Sequence, residues 1–244
     1  MKHLFAVAFA LATARSAVPP NTTAIPVVIE LFTSEGCSSC PPADKLLSAL
    51  DKEQPIAGAH LIVLSEHVDY WNTLGWADPY SSHEFSERQQ KYGNALGVAD
   101  IYTPQAVIDG RLEVVGNSSA KMGAAVEAAL REKKVPLRLQ ANRTEAGIHV
   151  ELQAPEGMRR GEQIYLAVAE DEVTSKVSAG ENSGHLLAHT AVVRSFTKVG
   201  KFTGYGNFTA DLKTSARWGK NLRVVALVAD HDGGKIVGAA MTEL

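Results

Sequence analysis

The chain has 244 residues, of which 45% are hydrophobic and 21% charged. That composition fits one large domain or two ordinary ones and excludes a disordered tail or a fibre. A formal charge of −3 and a pI near 6.2 give no electrostatic case for nucleic acid or an anionic membrane surface, so neither is expected as a partner.

Lys2 and His3 precede the apolar run Leu4 to Leu11, which is followed by Ala12-Thr13-Ala14. A basic start, a short apolar centre and an Ala-x-Ala sequence read as a secretory signal peptide over residues 1–17, cleaved after Ala14 or Ala17. As a buried first strand, the run would be broken at once by Val18-Pro19-Pro20. No other stretch approaches the roughly 20 apolar residues of a spanning helix. A secreted or periplasmic protein with no integral membrane segment in the mature chain is therefore expected.

Val27 to Phe32 is a β-rich apolar run typical of a buried strand. It meets Gly36-Cys37-Ser38-Ser39-Cys40-Pro41-Pro42, after which Leu46, Leu47 and Leu50 fall on one helical face. A second strand, His60 to Ser65, completes a βαβ unit, whose parallel strands need such a crossover. An aromatic segment from Trp71 to Tyr80 leads into a helix over 82–96, started by Ser81-Ser82-His83-Glu84. Beyond Thr103-Pro104, two short strands flank the Asp109-Gly110 turn. The last helix of this half spans 119–133.

From Pro136 the pattern changes to period two. Strands are expected at 135–139, 148–152, 163–169, 187–196, 222–229 and 235–241, with an inner face of Ile148, Val150, Leu152, Leu166, Val168, Val225 and Leu227. Short alternating strands without helical period indicate a small β-sandwich. The division is then an α/β domain over 18–134, a mixed sheet flanked by helices, and an all-β domain over 135–244.

The chain's only two cysteines lie three apart. A bridge over so short a loop constrains the unfolded chain little, so the pair reads as chemistry rather than architecture. Cys37 is expected at the helix N-terminus, where unpaired N–H groups and the macrodipole lower a thiol pKa; Cys40, one turn inside, would resolve a mixed disulfide. Pro41 and Pro42 suit a first helical turn. Glu35 and Asp44 oppose thiolate formation.

The strand–Cys-x-x-Cys–helix arrangement, with Thr103-Pro104 opening a later strand, resembles the thioredoxin fold over about residues 26 to 134. That resemblance implies a cis-proline loop at Pro104 set against the disulfide. The blocks Phe32 to Asp44, His67 to Trp71, Leu74 to Pro79, Arg88-Gln89, Tyr102 to Gln105, Gly180 to His185 and Val192 to Arg194 are together similar to a secreted bacterial family known as a domain of unknown function, family 1223. Asn72 stands where that pattern has Asp.

Three functions stay open. The first is a thiol–disulfide oxidoreductase without cofactor, acting on protein or small-molecule thiols and disulfides with an unidentified redox partner. Here Cys37 attacks, Cys40 resolves and Pro104 with Thr103 shapes the docking site. Trp71 and Trp76 line a groove or fill a core, and His67 with Asp69 relays a proton or fixes a loop. The second is a copper(I) carrier or assembly factor, since two thiolates and His67 are soft enough. Zinc would need about four ligands. The third is a non-catalytic interaction protein on the same scaffold. His185, His189 and Arg194 lie far along the chain and read as structural.

Overall fold

A computed structural model describes residues 24–154, 157–203 and 206–244. The signal-peptide reading of residues 1–17 lies outside them. In chain order the elements are β1 (Ile25–Thr33), α1 (Pro41–Glu53), β2 (Ala59–His67), α2 (His83–Leu96), β3 (Gln105–Ile108), β4 (Leu112–Val115) and α3 (Ser119–Ala129). These are followed by β5 (Arg138–Thr144), β6 (Gly147–Gln153), β7 (Gln163–Glu170), β8 (Val173–Lys176), β9 (Leu186–His189), β10 (Val192–Lys201), β11 (Asn207–Leu212), β12 (Leu222–Ala229) and β13 (Ile236–Glu243). Among the described residues no helix is long and apolar enough to cross a membrane.

One mixed sheet of eight strands, in the order β13-β12-β7-β10-β2-β1-β3-β4, runs through the whole molecule. β1 and β2 pair in parallel over their full length, and α1 is the crossover that makes this possible. Thr33 donates to Asp44 of α1, while Phe32 packs edge-on against Tyr92 of α2. Successive strand residues point to opposite faces, so α1 and α2 cover opposite sides of β1. That explains why Val27 to Thr33 are all buried and why the run shows no alternation.

α2 begins at Ser82, whose hydroxyl accepts from Glu84 N at 3.3 Å. It ends at Gly97 with φ 69°, where a left-handed C-cap favours glycine. The β3–β4 hairpin turns at Asp109 and Gly110, both with positive φ. A Cβ on Gly110 would come within 1.9 Å of Gly234 O, so only glycine fits there. The Asp109 carboxylate accepts from Val28 N at 3.0 Å and Lys134 Nζ at 2.5 Å, tying the turn to the sheet.

The later half differs from the expected layout in a way that matters for the site. Leu187 to Phe196 is not one strand. Ala191, at φ 51°, separates β9, which pairs with β8, from β10. β10 then joins the large sheet, parallel to β2 at Val192–Ser65 and antiparallel to β7. The sheet therefore crosses residue 134 without a break. A second sheet, β11-β6-β5, buries Ile148, Val150 and Leu152 against Ile164, Leu166, Val168, Val224 and Ala226. Val225 and Leu227 face the other way, into the core shared with α1 and β2.

Candidate functional site

The loop after β1 carries the cysteines, closed as a disulfide with 5.4 Å between the Cα atoms. α1 starts at Pro41, and Cys40 is its N-cap: Cys40 O accepts from Ala43 N at 2.8 Å and Asp44 N at 3.1 Å. Cys37 lies a turn earlier, its carbonyl accepting from Cys40 N at 3.2 Å. This corrects the expected placement of Cys37 at the helix end with Cys40 inside. The prolines are the cause: neither supplies an N–H, so both fit only the first helical positions. Both cysteines are fully buried, and of this loop only Ser38 and Ser39 face outward.

Behind the loop lies a buried set of acids and imidazoles contributed by distant segments. Glu35 accepts from Trp76 Nε1 at 2.8 Å and Ser175 Oγ at 3.2 Å, and pairs with His189 Nε2 at 3.2 Å. Asp78 accepts from Glu35 N at 2.8 Å and Tyr80 N at 2.9 Å, and pairs with His67 Nδ1 at 2.7 Å. Asp44 takes the Thr33 hydroxyl at 2.9 Å and lies 3.7 Å from His189 Nδ1. The two imidazoles meet edge to face at 4.8 Å. Neither His67 Nε2 nor His189 Nδ1 has a hydrogen-bond partner among the described residues.

Burial, with a smaller contribution from the Asp78 charge, pushes the Asp44 carboxyl above its usual range, although His189, His67 and the Thr33 hydroxyl pull the other way. Burial also works to lower the pKa of His67, but the charge and hydrogen bond of Asp78 outweigh it, and His67 holds its proton more tightly than usual. Asp78 is shifted down: burial opposes its charge, and His67 with two backbone N–H donors wins. Asp44, His67 and Asp78 thus carry displaced proton affinities in the wall of the disulfide loop.

The other expected site residues divide into two groups. Thr103–Pro104 is a cis peptide. Thr103 O accepts from Ser39 Oγ at 3.5 Å, and its hydroxyl accepts from Trp71 Nε1 at 2.8 Å. Thr103 and Trp76 therefore meet the loop that carries Cys37 and Cys40, Trp71 is tied to Thr103, and Pro104 follows Thr103 in the chain. Asp69 does not join His67. Its carboxylate accepts from Ser86 at 2.5 Å and faces His83 at 3.1 Å, where hydrogen bonds hold its pKa below the usual carboxylate range. Asn72, in place of Asp, uses both ends of its carboxamide, accepting from Asp78 N at 3.0 Å and donating to Ser81 at 2.9 Å.

Sequence reasoning missed Asp78, Asn182 and the role of His189. Asn182 is buried and donates to both Glu35 O and Cys37 O. The available signal was the conspicuous block Gly180 to His185, which lies in no regular element.

The sequence model of a family described as protein of unknown function (DUF1223) matches residues 28–229. None of the curated proteins matches. A crystal structure of an Agrobacterium tumefaciens protein is similar, at 31% identity and a TM-score of 0.69, over 89% of this chain and 94% of that one.

Proposed function

The chain belongs to the DUF1223 family, whose description carries no activity, and we propose from the site alone that it is a thiol–disulfide oxidoreductase acting outside the cytoplasm, secreted or periplasmic. The observation that carries this reading is the Cys37–Cys40 disulfide at the start of α1, backed by a proton-holding cluster. In this reading about residues 26 to 134 are a thioredoxin-like unit. Its support is the order β2-β1-β3-β4, the crossover helix behind the cysteines and the cis Thr103–Pro104. β7 and β12 of the large sheet, faced by β5, β6 and β11, form its β-sandwich companion.

Reduction of the bridge by a protein or small dithiol breaks the Cys37–Cys40 bond through a mixed disulfide. It takes up two electrons and two protons and leaves the donor oxidised. Cys37 forms the mixed disulfide, and Cys40, at the helix cap, resolves it. The helix N-terminus acts on Cys40 directly, stabilising the thiolate that leaves first. Thr103 and Pro104, with Trp71 and Trp76, shape the surface on which a substrate docks. The proton role expected of His67 with Asp69 passes to His67 with Asp78, joined by Asp44 and His189.

Turnover tests the proposal. Reduced protein should catalyse thiol–disulfide exchange with a disulfide-bonded protein substrate, and Cys37→Ser should abolish it. Activity that survives Cys37→Ser would instead support an interaction role for the scaffold.

A further inference from the structure

The backbone of the disulfide loop is held by a segment from the second half of the chain. Residues 177–185 fold on themselves: Val177 N donates to His185 O at 3.0 Å, Gly184 N to Val177 O at 2.9 Å, and Ser183 N to Gly180 O at 3.2 Å. Gly180 and Gly184 have φ of 73° and 84°, left-handed values that let this short loop turn back twice. The loop presents two adjacent side chains to the cysteines. Asn182 Nδ2 donates to Glu35 O at 2.8 Å and Cys37 O at 3.0 Å, so it clamps the backbone on both sides of Gly36. Glu181 Oε2 accepts from Ser38 N at 3.0 Å, which places a carboxylate one residue from Cys37. Glu181 is exposed, and the hydrogen bonds from Ser38 keep it ionised to lower pH than usual.

These contacts stand beside a mismatch in the site. A pair that exchanges disulfides needs a sulfur within reach of an attacking thiolate, yet both cysteines here are fully buried. The outward side of their loop is Ser38 and Ser39, and Glu181 stands beside it. We propose that residues 177–185 are a latch in which Asn182 holds the disulfide closed and Glu181 selects the attacking thiol by charge, disfavouring anionic thiols. This rests on the thiol–disulfide reading of the same site.

The selected step is ordinary exchange. A thiolate attacks Cys37 Sγ, the bond to Cys40 breaks with its electron pair on Cys40 Sγ, and a mixed disulfide forms. A second thiol then attacks the external sulfur of that mixed disulfide and frees Cys37. The two small thiols leave as their disulfide, and the protein ends with two thiols after taking up two protons.

The experiment measures reduction rates of the oxidised full-length mature protein by 2-mercaptoethanol (neutral), mercaptoacetate (anionic) and cysteamine (cationic), compared at equal thiolate concentration. With Glu181→Gln the rate with mercaptoacetate relative to 2-mercaptoethanol should rise about fivefold, the effect of the one additional unit charge at contact distance in water. The cysteamine rate relative to 2-mercaptoethanol should fall, the thiolate charge common to all three cancelling in the ratio. Glu181→Lys should invert the preference between the charged thiols. About 0.5 M salt should erase the differences by screening. Asn182→Ala should speed all three thiols together. A Glu181→Lys protein that treats the three thiols as the wild type does would overturn the latch's selective role, and an unchanged rate in Asn182→Ala would overturn its closing role. Wild-type protein that resists even dithiothreitol would instead remove the thiol–disulfide reading itself.

Discussion

At Glu66 the sheet buries a carboxyl whose two oxygens find no hydrogen bond among the described residues. Its neighbour Glu30 accepts from Arg88 Nε and from the Tyr92 hydroxyl, both at 2.6 Å. Arg88 Nε is 3.6 Å from Glu66 Oε1, so the guanidinium serves Glu30 first. Burial, followed by the charge of Glu30, pushes the Glu66 pKa well above its usual value. Glu66 is therefore neutral in the folded protein near its ordinary pKa. Its stabilising contribution is complete below the unfolded value of 4.5 and is lost as pH rises through the folded value. Glu66→Gln, which mimics the protonated acid, should raise stability at alkaline pH by roughly 1–3 kcal/mol, about the cost of an unsatisfied buried polar group. It should also flatten the fall in stability above pH 5 seen in urea titrations. Equal destabilisation at every pH would show that the carboxyl has a partner that Gln cannot replace. The sequence gives no hint of this arrangement. Glu30 and Glu66 lie in apolar runs and meet only because β1 and β2 pair in register.

At the scale of elements, what proved readable is what depends on neighbours in sequence. The two prolines after Cys40, the Ser82 cap and the Asp109-Gly110 turn mark boundaries close to those observed. β12 shows the limit. It is buried along its entire length, so both faces are apolar and period two carries no information about which face meets which layer. Val225 and Leu227 were accordingly assigned to the facing sheets, whereas Val224 and Ala226 lie there. The break at Ala191 was equally silent, and it is what sends β10 to the edge of β2. Two further ties cross the expected boundary: Arg223 of β12 binds both Asp51 of α1 and Asp171 through paired hydrogen bonds of 2.7–2.8 Å, and Ile236 N donates to Asp109 O at 2.9 Å. A chain ending at Lys134 would uncover the edge of β2 and leave Asp51 without Arg223. It should aggregate or lack a cooperative unfolding transition in circular dichroism. A folded, cooperative fragment would show that the first half is autonomous, as the period change at Leu137 implies.

For the molecule as a whole, the site is a product of both halves. The first half supplies the cysteines, Glu35, Asp44, His67 and Asp78; the second supplies Ser175, Glu181, Asn182 and His189. The cysteine motif was legible because its spacing and its helix are local. Its surroundings were not, because their partners stand about 140 residues away in the chain and nothing in the composition of either segment announces the pairing. In the proposed reading the latch and the buried imidazoles serve a disulfide that opens in use. A permanent bridge would need neither controlled access nor nearby groups that exchange protons. The reduction potential of the Cys37–Cys40 pair tests this most directly, read by mass spectrometry after equilibration in dithiothreitol or glutathione buffers. An exchanging couple should titrate reversibly as one two-electron step between about −120 and −270 mV, the span of known exchange proteins. A value below about −300 mV, the range of structural disulfides, would contradict it.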